Sequence, residues 1–96
     1  MRVYKVKEGK LDKLRDWTNK LSGVYRKEVL ESLREEMVER EFIAIFEMND
    51  NYYVFGFMDG ECLPATDTDL NRSHKDIMKE CLEPVSKAEV LYDLRV

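Results

Sequence analysis

Polar and apolar residues alternate from the start of the chain. Arg2–Val6 interleaves Val and Tyr with basic residues, which predicts a strand. Gly9 then interrupts the pattern and can serve as the N-cap of a helix beginning at Lys10. From Lys10 to about Met37 the period becomes helical, in a stretch without Pro and rich in Leu, Glu, Lys and Arg. Leu11, Leu14, Leu21 and Tyr25 share one stripe, with Trp17 and Val24 at its edge. Beyond Ser22-Gly23 the stripe passes to Val29, Leu33 and Met37, with Leu30 at its edge. At about 100° per residue the second stripe is rotated by about a quarter turn from the first. This predicts a bend near Gly23, or a helix long enough to touch two surfaces.

Glu41–Met48 and Tyr52–Met58 are rich in β-branched and aromatic residues and flank the turn-forming triplet Asn49-Asp50-Asn51. They predict a hairpin. Asp59–Ala65, with Gly60 and Pro64, reads as a loop. A second helix is expected from Thr68 or Asp69, both good caps, to Leu82, with Pro84 ending it. Leu70, His74, Ile77 and Cys81 form its apolar stripe, with Met78 alongside. Ala88–Val96 alternates again and predicts a fourth strand. The order β-α-β-β-α-β is the split-βαβ plan of an α+β, ferredoxin-like domain over residues 1–96. It implies an antiparallel four-stranded sheet with two helices on one face.

Period-2 parity assigns the faces of the hairpin. Phe42, Ala44, Phe46 and Met48 point one way, and Ile43, Ile45 and Glu47 the other. In the next strand Tyr52, Val54, Gly56 and Met58 oppose Tyr53, Phe55 and Phe57. Both faces are apolar, yet two helices cover only one. Soluble monomers rarely expose contiguous apolar patches beyond a few hundred Å². A homodimer joined through the sheet face is the simplest cover.

Composition narrows the classes. Ninety-six residues make one domain, and 44% apolar content supports a packed core. A net charge of −4 argues against nucleic acid or an anionic membrane as partner. No apolar run resembles a signal peptide or a membrane helix, so a cytoplasmic protein is expected. Cys62 and Cys81 are 19 residues apart without a CxxC, which reads as two reduced cysteines. The four glycines are scattered and give no phosphate loop. Together with His74 the cysteines fall short of a four-ligand zinc site, so no metal or cofactor is expected.

Val3–Lys7 followed by Gly9-Lys10-Leu11, then Leu14-Arg15-Asp16-Trp17, open a longer likeness. Leu33–Glu36, Phe46-Glu47, Tyr53–Met58, His74 and Leu91–Leu94 continue it over nearly the whole chain. In these residues the chain resembles the dimeric α+β barrel superfamily, which includes antibiotic-biosynthesis-monooxygenase-like proteins. More narrowly, it is similar to a small uncharacterised prokaryotic family of that plan. The resemblance implies a fold and a paired sheet, and no particular reaction.

The candidate chemistry is sparse. His74, the only histidine, could act as a general base at the lip of a helix–sheet pocket, or could be a hydrogen-bonded core residue. Glu47 and Asp93 are carboxylates on otherwise apolar strand faces, which is costly unless they are paired or at a cavity mouth. Lys5 could supply the pairing cation. His74 and Glu47 are the one acid–base pair on offer if they meet in space. Trp17, Tyr25 and Tyr53 could line a pocket for a flat ligand, or serve packing alone. Tyr53, Phe55 and Phe57 invite comparison with RNA-recognition strands, but the leading Lys/Arg-Gly is missing and the chain is acidic. Two readings stay open: a dimer binding a small organic ligand between sheet and helices, with cofactor-free catalysis as an open question, or a non-catalytic dimeric module acting through protein contacts.

Overall fold

A computed structural model describes residues 2–96. Its elements are β1 (Arg2–Val6), α1 (Leu11–Ser22), α2 (Arg26–Glu35), β2 (Val38–Met48), β3 (Asn51–Gly60), α3 (Asp69–Cys81) and β4 (Leu82–Lys87). The fold is α+β: four strands form one antiparallel sheet in the order β2-β3-β1-β4, accompanied by three helices. This is compatible with the split-βαβ plan expected from the pattern.

The long helical stretch is two helices rather than one. Gly23 closes α1 with its amide on the Lys20 carbonyl, and the turn at 23–25 redirects the chain into α2. A side chain at Gly23 would put its Cβ 2.9 Å from the Asn19 carbonyl oxygen, which is too close for any other residue without a shift. The rotated stripe was the signal of this break. The cap of α1 is Lys10 rather than Gly9, whose φ of +75° instead serves the preceding turn.

The hairpin is longer than expected, and its turn consists of Asn49-Asp50 alone. Both residues have positive φ (52° and 63°), the mirror-image turn whose twist matches that of the paired strands. Thr68 caps α3, its Oγ1 accepting from the Asn71 amide at 3.1 Å.

The fourth strand differs from expectation. It is Leu82–Lys87, whereas 88–96 has no regular structure. The reason lies at the end of α3. The Lys7 amide bonds the Cys81 carbonyl at 2.8 Å, and Leu82 pairs with Val6 in the next step. No loop intervenes, so the strand starts at once and runs through Pro84. Proline is tolerated because β4 is an edge strand whose register shifts between Val3 and Tyr4. The alternating residues beyond it are left exposed, Leu91 by 84% and Leu94 by 82%.

The core lies between the sheet and α1 and α3. Val6, Leu14, Val54, Cys81 and Leu82 are buried together, with Tyr4, Tyr52, Ile77 and Met78 packed around them. Among the described residues no helix is long and apolar enough to cross a membrane.

Candidate functional site

Register fixes which residues share a face. Phe42 pairs with Phe57, Ala44 with Phe55, and Phe46 with Tyr53, so these form the face away from the core. Glu41, Ile43, Ile45 and Glu47 lie on the helix side with Tyr52, Val54 and Met58. The candidate residues therefore divide between two faces.

On the helix side a cleft of about 810 Å³ opens between the sheet and α1 and α3. Tyr4, Ile43, Val54, Met78 and Leu82 supply apolar wall, and His74 stands among them. Trp17, on the facing turn of α1, donates its indole N–H to His74 Nδ1 at 2.9 Å. The two rings are nearly parallel, with centroids 6.1 Å apart, and Tyr25 packs on Trp17 at 6.0 Å. This triad follows from stripe geometry: α1 and α3 pack with their apolar stripes together, which brings Trp17 to His74. Burial lowers the His74 pKa from its ordinary value, since the imidazolium loses hydration there.

The expected partner is elsewhere. Glu47 does not line the cleft; it sits opposite Tyr52 in the hairpin register, and the nearby carboxylate raises the pKa of the phenol. Arg15 lies over the same Tyr52 ring, 5.6 Å from its centroid. The carboxylate that does share the cleft with His74 is Glu41, six residues earlier on the same side of β2. Its pKa is raised, first by desolvation and then by the charge of Glu36. Strand parity carried the signal for Glu41: the face of Ile43, Ile45 and Glu47 extends back to it. Arg2, Lys75 and Lys79 also border the cleft. Their placement depends on tertiary packing and has no mark in the sequence.

The other candidates fall on different surfaces. Tyr53 belongs to the outer face, stacked on Phe46 with centroids 5.5 Å apart, so it does not join Trp17 and Tyr25. Lys5 is opposite Tyr53 and Glu83, away from Glu47. Asp93 is exposed in the irregular C-terminal segment.

A second polar cluster has no signature in the sequence. Glu36 is buried, and its Oε2 accepts from the Thr66 amide (3.4 Å), the Thr66 hydroxyl (3.2 Å) and Asn71 Nδ2 (3.5 Å). Asn71 Nδ2 also donates to the Thr66 carbonyl at 2.8 Å, and Ser32 Oγ lies within reach of Thr66 and Asn71. These bonds pin the 61–68 loop against α2 and satisfy a buried carboxylate without a salt bridge among the described residues.

Compared with known proteins, residues 1–95 match the model of a family of unknown function (DUF6176), and the chain belongs to that family. No curated protein matches the chain. No solved structure matches it either.

Proposed function

We propose that this family member binds a small organic molecule with an apolar body in the helix-side cleft, and that it does so as a pair of chains joined through the outer face of the sheet. The observation that carries the first part is the cleft itself. At about 810 Å³, with mostly apolar walls and one hydrogen-bonded imidazole, it has the size and composition of small-molecule sites. The pairing rests on the rings of Phe42, Phe46, Tyr53, Phe55 and Phe57, which stack on one another and leave Phe42 and Phe46 more than a third exposed. A second copy of the same flat face covers them without any further partner, in the manner of a dimeric α+β barrel.

A thermal-shift screen against small metabolites tests the cleft, since a ligand at 100 times its Kd stabilises the fold by about 2.7 kcal/mol. Stabilisation by a compound class, lost when Val54 is enlarged to Phe, supports the reading. A screen without any hit opposes it. Sedimentation at micromolar concentration tests the pairing: twice the mass of one chain is expected, and a single-chain mass refutes it.

A second reading, a dimeric module that performs no chemistry, draws on one observation. Glu47 lies opposite Tyr52 in the hairpin register and is not among the residues that line the His74 cleft, which favours a module without acid–base chemistry. Such a module acts through protein contacts, and its expected signature is a folded pair of chains that no small compound stabilises.

A further inference from the structure

The Trp17–His74 contact decides what kind of group the imidazole offers to a ligand. An indole nitrogen only donates, so the 2.9 Å bond makes His74 Nδ1 an acceptor and leaves it without a hydrogen. In the neutral ring the hydrogen must then be on Nε2. Nε2 has no hydrogen-bond partner among the described residues, and no unpartnered side-chain nitrogen or oxygen is sealed from solvent. His74 lines the cleft, and Nε2–H is the polar group it has left to offer there.

Trp17 thereby blocks one role and sets another. A base needs a free lone pair, and the only one on the neutral ring is already taken by the indole. Protonation at Nδ1 would set an N–H against the indole N–H. Burial works in the same direction, holding the imidazole neutral around pH 7. A neutral ring with one outward N–H recognises an acceptor. The surrounding charges select among acceptors: Arg2, Lys75 and Lys79 border the cleft, three cations against the one carboxylate of Glu41.

We propose that His74 is a hydrogen-bond donor rather than a base, and that the cleft takes small organic acids, their oxyanion on His74 Nε2–H and their apolar body along Ile43, Val54 and Met78. Trp17 is the positioning residue that sets the tautomer. This deepens the ligand-binding reading above and rests on it.

His74 is the only histidine, so its ring nitrogens can be read without assignment ambiguity in long-range ¹H–¹⁵N spectra. The Nε2–H form is expected at neutral pH, giving way to a mixture of tautomers in Trp17→Phe. An Nδ1–H form in the natural protein would overturn the proposal. Binding is probed with octanoate, octanol and octylamine. Octanoate is expected to bind about tenfold or more tightly than octanol, the scale of one hydrogen bond to a charged group. His74→Gln, which keeps an N–H near the Nε2 position, should retain most of that preference, and His74→Leu should lose it. If octanol binds as well as octanoate, the acid selectivity fails while the ligand-binding cleft stands. If none of the three binds, both fall. Should His74→Leu not fold, the Nε2 resonance of the natural protein decides: it moves on addition of octanoate, or the proposal is wrong.

Discussion

Val54 and Phe55 are adjacent in β3 and live in different worlds. Val54 is 3% exposed under α1 and α3, and Phe55 looks outward into a row of aromatic rings. Around Val54 the inner face is held by packing within one chain. The outer face has large apolar side chains, stacked rings and Arg40 lying over Phe42 and Phe57 at 5.6 and 5.4 Å, and it leaves Phe42 and Phe46 36% and 40% exposed. The edge strand β2 shares this condition even on its inner side, where Ile43 and Ile45 remain 46% and 38% exposed. A chain can thus have a finished core and an unfinished surface in the same sheet.

The largest test of that difference is truncation on each side. Leu14→Ala on the inner side is expected to cost about 2–5 kcal/mol, because Leu14 is 3% exposed and the cavity has no way to fill with water. Phe46→Ala on the outer side should cost a single chain less than about 1 kcal/mol, since much of that ring is already wet. Urea unfolding at several protein concentrations separates the two. Leu14→Ala lowers stability by the same amount at every concentration, whereas Phe46→Ala abolishes any concentration dependence that pairing gives the natural chain. Equal costs at all concentrations would remove the distinction between the faces.

A smaller effect belongs to the loop that closes one end of the inner layer. In Glu36→Gln an amide replaces an acceptor-only carboxylate that receives two donors from Thr66 and one from Asn71. The expected loss is about 1–3 kcal/mol, the cost of leaving buried polar groups poorly matched. Hydrogen exchange should report it first at residues 61–68, before the sheet is touched.

These sites show what could be read in advance. Strand parity identified both faces of the hairpin, and the stripe rotation marked the break at Gly23, because each is a local period. Thr68 was legible as a cap for the same reason. The Trp17–His74 bond could be suspected from two stripes but not placed, since helix pairing is a tertiary event. Glu36 and Asn71 gave no sign: one sat among many charged residues of a helical stretch, the other within an Asn-Arg-Ser triplet that matches a glycosylation signal. The misplaced fourth strand has a physical cause. Alternation in Ala88–Val96 is the stronger pattern, but the direct passage from Cys81 to Leu82 commits the strand earlier.

The pH dependence is a subtler probe of the inner face. The folded His74 pKa lies below its unfolded value of about 6.5. Between those two values the unfolded chain carries a proton that the folded chain refuses. Stability therefore falls as pH drops from about 6.5 towards the folded pKa, and is level with respect to this group above it. His74→Gln should flatten that part of the curve without moving the rest. Tm measured for both proteins from pH 5 to 8 checks it; parallel curves would mean that the imidazole is no more desolvated than in the open chain.

The smallest expected effect comes from the C-terminal segment. Ala88–Val96 carries Val90, Leu91, Tyr92 and Leu94 largely in solvent, and the ion pair it makes with the body of the fold is Arg95–Asp59 at 3.5 Å, with both side chains exposed. Such pairs contribute about 0.2–1 kcal/mol at most. Ending the chain at Lys87 should accordingly leave the stability of a single chain unchanged within about 0.5 kcal/mol. The same truncation is informative about the outer face. If the mass in solution and the unfolding midpoint both survive it, pairing depends on the aromatic rings alone. If the pair dissociates while the single chain stays folded, the apolar residues of this segment are part of what covers the partner, and the exposed tail and the exposed sheet are two halves of one interface.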